Sequence, residues 1–130
     1  MDYRDEFQPG ARRFDVGERS NFLLVPMAIA ALRQLYEWGV GSIQETLREL
    51  TRRAARGAEA LGLEVAPEAN RSGHLVGLRR RGGYRSDVPA RLAARQVYVS
   101  GRGDNLRVSP HLYNTAEDVD RLLEALASLR

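Results

Sequence analysis

The side chains that could do chemistry in this sequence form a narrow set. Twenty arginines and two histidines supply all the basic groups, with no lysine, and there is no cysteine. Guanidinium stays protonated and is a poor nucleophile, so no side chain can form a Schiff base with a carbonyl cofactor. The lack of cysteine removes disulfides, thiolate catalysis and thiolate-built zinc sites, and the composition suits a reducing cytoplasm. His74 and His111 lie far apart, and no ligand spacing of carboxylates joins either of them, so no metal is expected. A planar guanidinium can, by contrast, hold a carboxylate through two parallel charge-assisted hydrogen bonds.

A net charge of +3 and a pI near 9.8 raise the question of nucleic acid. The densest basic segment is Arg79-Arg80-Arg81 with Arg85, around Gly82-Gly83. Seventeen acidic residues are interspersed with the arginines, which favours a solvated mixed-charge surface over a binding patch. Arg102-Gly103-Asp104 spells a cell-adhesion tripeptide, a coincidence in a chain whose acidic start, Met-Asp-Tyr-Arg-Asp-Glu-Phe, is no secretory signal. The longest apolar run, 22–32, is too short to span a membrane and fits a buried helix.

The elements that must position these groups follow from periodicity. At 130 residues the chain has the length of one domain. Residues 1–21 carry Pro9, Gly10 and Gly17 among charges without a sustained period, and read as an extended or looped arm before a domain over 22–130. A helix is predicted over 24–38, apolar on all sides in its first half, with Pro26 in the first turn and Gly39 past the end. A second is predicted over 42–61, opened by a Ser42/Glu45 capping box, striped by Ile43, Leu47, Leu50, Ala54 and Ala58, and stopped by Gly62. Strands are predicted over 63–65 and 74–78, then a short helix from an Asp87 cap through Arg95 with Pro89 in its first turn. Two antiparallel strands, 96–100 and 106–109, flank a hairpin connection over 101–105. A last helix starts at Thr115-Ala-Glu-Asp118, a capping box, with Val119, Leu122, Leu123, Leu126 and Leu129 on one side. The order ααββαββα implies an α+β fold, helices packed on a small, mainly antiparallel sheet.

Three segments of this pattern resemble a known family in their order and spacing. They are Gly10-Ala-Arg-Arg-Phe14, Gly17-Glu-Arg-Ser-Asn21 and above all Leu106-Arg-Val-Ser-Pro-His-Leu-Tyr-Asn-Thr115 followed by Glu117-Asp-Val-Asp120. Together they resemble the C-terminal small domain of class V aminotransferases, which include cysteine desulfurases, kynureninases and isopenicillin-epimerase-like proteins of fold type I. The resemblance covers essentially the whole chain and implies a parent enzyme about three times longer. It also implies pyridoxal phosphate in that parent, held by a lysine of a large domain absent from this sequence. No cofactor is expected on this chain alone.

What the resemblance implies for individual residues is specific. Arg107, on the strand before Tyr113-Asn-Thr115, takes the position of the arginine that holds the substrate carboxylate, and is expected to project, partly exposed, toward a concave surface. By pattern alone it reads as an edge-strand arginine in a surface ion pair. Arg102 is a second substrate-binding candidate, weighed against a solvent-exposed hairpin tip. Relatives often place Gly-Thr where Gly17-Glu18 stands here, the threonine reaching a neighbouring subunit's cofactor phosphate. A carboxylate beside phosphate is unfavourable, which leaves Ser20 or Arg19 for that contact, against a plain role for Ser20 or Asn21 as a helix cap. His111 and Tyr113 read as a fixed strand-to-helix corner with Asn114 and Thr115 capping the last helix, and Tyr36 and Trp38 as packing residues rather than a base-stacking platform.

The leading functional expectation is a class V small domain that is inactive by itself and works, if at all, by completing a large-domain partner. The alternatives are a free-standing amino-acid or carboxylate-binding regulatory module, using Arg107 and Arg102, and a basic nucleic-acid module. The all-apolar run 22–32 is expected to drive homodimerisation through the 22–38 helix.

Overall fold

The computed structural model describes residues 6–15, 17 and 21–129. The chain divides into two units, Met1–Glu37 and Trp38–Arg130. In the first, Gly10–Phe14 winds into a 3-10 helix, and α1 runs Leu24–Trp38 into the second. Asn21 caps α1, its Oδ1 accepting the Leu24 amide at 2.8 Å. Every residue of α1 is exposed.

The second unit contains α2 (Val40–Ala60), β1 (Glu64–Val65), β2 (Val76–Arg79), α3 (Val88–Ala93), β3 (Ser100–Arg102), β4 (Asn105–Val108) and α4 (Ala116–Ala127). With α1 this is the order ααββαββα, and the sheet is antiparallel throughout, with strands ordered β1-β2-β4-β3. Alternation builds the core: Val76 lies opposite Val108 and Leu78 opposite Leu106, all four buried, beneath Ala54, Ala55 and Ala58 of α2 and Val119, Leu122 and Leu126 of α4. The small residues of α2 let the helices come close. A Cβ on Gly57 would stand 2.8 Å from Leu123 Cδ2. Across the outer edge of the same contact Arg53 grips Asp120 with two hydrogen bonds of 2.7 Å.

The helix ends explain most boundaries. α2 closes in a Schellman arrangement, with the Leu63 amide on Ala58 O, the Gly62 amide on Glu59 O, and Gly62 at φ +78°. α3 closes the same way: the Val97 amide bonds to Leu92 O and the Gln96 amide to Ala93 O, with Gln96 itself at φ +60°. α4 opens with the expected box, in which Thr115 Oγ1 accepts the Asp118 amide and Asp118 accepts the Thr115 amide.

Five local expectations are corrected. The Ser42/Glu45 box does not form. Gly39, at φ +77°, turns the chain so that α2 begins at Val40, leaving Ser42 inside the first turn with its carbonyl accepting the Thr46 hydroxyl. Asp87 precedes α3 but makes no cap bond, because the Arg85 guanidinium takes its carboxylate. The strand expected over 74–78 starts at Val76, since its partner runs into Pro110, which has no N–H to offer, and Thr51 holds Gly73 O against α2 at 3.1 Å. The strand expected over 96–100 begins only at Ser100, because left-handed Gln96 is still closing α3. The connection read over 101–105 shrinks to Gly103-Asp104, with Gly103 at φ +56° in the first central position, the type II′ pattern that matches strand twist.

Candidate functional site

Strand register decides what the sheet offers to solvent. Directly opposed residues share a face. Leu106 and Val108 point into the core, so Asn105 and Arg107 point outward, and their partners follow: Gly77 and Ser100 beside Arg107, Arg79 and Arg102 beside Asn105. Glu64 joins through Arg79. The outer face therefore carries three arginines, at 79, 102 and 107, over a floor of small residues.

The three differ in what holds them. Arg79 has two acidic neighbours, Glu64 at 3.8 Å and Asp104 at 3.9 Å. Arg107 and Arg102 are exposed and make no ion pair or side-chain hydrogen bond among the described residues. They lie diagonally across the β3–β4 ladder, a separation of about 7–8 Å between backbones. The structure thus brings the two candidate substrate-binding residues onto one face. Arg107 stands exposed on that face, between Gly77 and Ser100. Ser20 and Arg19 lie outside the described residues.

The corner below this face is built as the sequence implies. His111 and Tyr113 stack at 5.0 Å, and Asn114 Oδ1 accepts the His111 amide at 2.9 Å. Asp118 accepts from the Thr115 amide and from Asn114, and these contacts hold its carboxyl below the ordinary carboxylate range. A cleft of about 240 Å³ runs from 96–99 across Ser109, Pro110, Tyr113 and Asn114 to α4. A wider one, about 530 Å³, lies between Trp38, Ile43 and the stacked pair. Trp38 therefore borders a groove.

Sequence reasoning missed Gly77 and Ser100, the residues that flank Arg107. Neither carries a signal of its own, and only the register places them. It also missed Arg71, which lines a cleft with Arg48, Arg52, Glu68, Ser72 and Gly73 and whose Nη1 is buried with no acceptor among the described residues. Of the basic segment, Arg81 sits 3.7 Å from Glu64 and Arg85 3.1 Å from Asp87, so with Arg79 three of its members are ion-paired.

This arrangement of strands and helices recurs in known proteins. A cysteine desulfurase from Thermococcus onnurineus superposes with a TM-score of 0.73 at 24% identity, covering 92% of this chain and 33% of that one. A NifS-like protein gives 0.71 at 21%, covering 95% and 37%, and an alanine–glyoxylate aminotransferase from Nostoc gives 0.65 at 21%, covering 93% and 34%. In sequence, the uncharacterized aminotransferase YcbU of Bacillus subtilis is 30% identical over 119 residues, 91% of this chain and 31% of that protein. The likeness is thus to an aminotransferase in sequence, over nearly all of this chain, and to about a third of each of these solved proteins in fold. No family profile matches the chain. The domain spans about a third of the length of these relatives. Among the described residues no helix is long and apolar enough to cross a membrane.

Proposed function

We propose that this domain supplies the substrate-carboxylate contact of a class V aminotransferase-type site, with Arg107 as the residue that makes it. The observation that carries the reading is the position of Arg107: exposed, unpaired among the described residues, and flanked by Gly77, which has no side chain, and Ser100, which has a small one, so that its guanidinium is approachable. Its part is to bind and orient the carboxylate through two parallel hydrogen bonds, so that the amino group is presented in one direction.

Pyridoxal phosphate is the cofactor that the family resemblance implies, and the residues here do not fit its covalent attachment. Twenty arginines and no lysine offer no amine for the bond. The domain is accordingly read as inactive alone, with a large-domain partner supplying the lysine and phosphate contacts. α1 supports an assembly of some kind. Met27, Ile29 and Leu32 are all exposed, and leaving each wet forgoes about 1.5–3 kcal/mol of burial. A homodimer through α1 is the proposed remedy for the chain alone.

The test is to incubate the purified chain with pyridoxal phosphate, reduce with borohydride and map adducts. The expected result is no stable side-chain adduct and no transaminase, desulfurase or lyase turnover. An adduct on any group other than the α-amino group of Met1, or turnover by the lone chain, would overturn the reading. A second reading, a carboxylate-binding module without chemistry, draws on the same unpaired arginines and predicts saturable amino-acid binding at cellular concentrations by the lone domain.

A further inference from the structure

We infer that the face around Arg107 is built for an amino acid whose side chain carries a second anionic group, and that Arg102 is the residue that selects it. The inference rests on the reading of Arg107 as the carboxylate contact and adds a substrate class to it.

Three observations carry it. The first is register: Ser100 pairs with Arg107 and Arg102 with Asn105, which puts both arginines on the outer face, diagonal to one another, with no bulky side chain at 77 or 100 beside Arg107. The second is charge. Of the arginines on this face, Arg79 is satisfied by Glu64 and Asp104, whereas neither Arg102 nor Arg107 has an acidic partner among the described residues. A monoanion bound to Arg107 would leave the second guanidinium beside it unmatched. A ligand with two anionic groups a few bonds apart would satisfy both. The third is rigidity. The II′ turn at Gly103-Asp104 closes the ladder immediately after Arg102, so its backbone position is fixed against β4 by the same hydrogen bonds that fix Arg107. A solvated hairpin-tip arginine would need neither the shared face nor the fixed turn.

A carboxylate and a phosphate group are recognised by the same guanidinium fork, so aspartate or glutamate on one hand and a phosphorylated amino acid on the other share this chemistry. The experiment titrates the intact 130-residue chain with L-alanine, L-glutamate and O-phosphoserine at constant ionic strength, following backbone amide shifts around Ser100, Arg102 and Arg107 by NMR. Glutamate or phosphoserine is expected to bind about fivefold more tightly than alanine, an exposed-pair effect. Whichever of the two is stronger identifies the side-chain group. Arg102→Gln should bring the ratio to alanine near one, and Arg102→Lys should restore part of it. Arg56→Gln removes the same charge from the exposed face of α2 and should leave the ratio as in the parent. Equal affinities for all three ligands in the parent, or a ratio indifferent to Arg102→Gln, would overturn this inference while leaving the Arg107 reading intact. If no ligand moves any amide of the face, the Arg107 reading falls and this inference with it.

Discussion

α1 and α4 are both rich in aliphatic side chains, yet one is bare and the other is the lid of the core. Leu122 of α4 is 4% exposed, and Met27 of α1 is 66% exposed. The difference lies in what each helix is asked to face. α4 keeps its apolar residues at three- and four-residue spacing, so one stripe meets α2 and the opposite side is polar. The first half of α1 is apolar all round, and no single layer can cover such a helix. Its sequence is written for surroundings on more than one side, which is why the assembly proposed above is assigned to it.

The largest effect that would sharpen this contrast is a paired substitution. Leu78→Ala, in the fully buried centre of the sheet, is expected to lower unfolding free energy by about 2–5 kcal/mol in chemical denaturation. Met27→Asp should change stability by about 0.5 kcal/mol or less in the monomeric state, and should instead lower the mass measured by light scattering, as should Ile29→Asp. A parent chain that is a soluble monomer, with neither Asp variant altering its mass, would remove the homodimer proposal.

A middle-sized effect tests the beginning of α4 against the beginning of α2, one capped by side chains and the other by glycine geometry alone. Thr115→Ala removes the hydroxyl that accepts the Asp118 amide and should cost about 1 kcal/mol, whereas Ser42→Ala, whose hydroxyl caps nothing, should be close to neutral. The box also sets a pH dependence. Asp118 is held below its ordinary range first by the Thr115 amide and then by Asn114, and Asp120 by Arg53. Carboxyls whose folded pKa is depressed stabilise the fold above their unfolded values, so stability should be level down to about pH 4 and fall as the pH drops further through the folded values. Asp118→Asn should flatten that acid limb. A limb of unchanged slope in the variant would show that the box does not titrate with folding.

Much of this architecture is legible in the residues, and the failures are physical. Periodicity exposes α2 and α4 because each buries one stripe, and the Thr115 and Gly62 signals hold because each motif has a geometry with few competitors. Ser42 and Asp87 carry equally good cap signals that lose to neighbours, the first to the turn at Gly39 and the second to the Arg85 guanidinium. The strand expected from Gln96 fails because Val97 and Val99 look like a strand whichever way Gln96 turns. For the candidate site, the residue types at 102 and 107 are visible in one dimension, while their common face and the small residues beside Arg107 depend on a register that no local signal encodes.

The smallest expected effect compares the two Schellman ends, which share a hydrogen-bond pattern and differ in the residue at the left-handed position. Gly62 adopts φ +78° without steric cost, whereas Gln96 at φ +60° brings its Cβ against the following carbonyl. Relief of that strain favours glycine by about 1 kcal/mol, but glycine also gains more freedom in the unfolded chain, which returns part of the benefit. Gln96→Gly is therefore expected to stabilise the domain by a few tenths of a kcal/mol up to about 1, read as a shift of the denaturation midpoint at constant slope. Gly62→Ala is the mirror experiment and should destabilise by about 1 kcal/mol, since it introduces the strain that Gln96 already bears. If Gln96→Gly proves destabilising, the glutamine side chain contributes more by its contacts than its backbone costs, and the two helix ends are not equivalent.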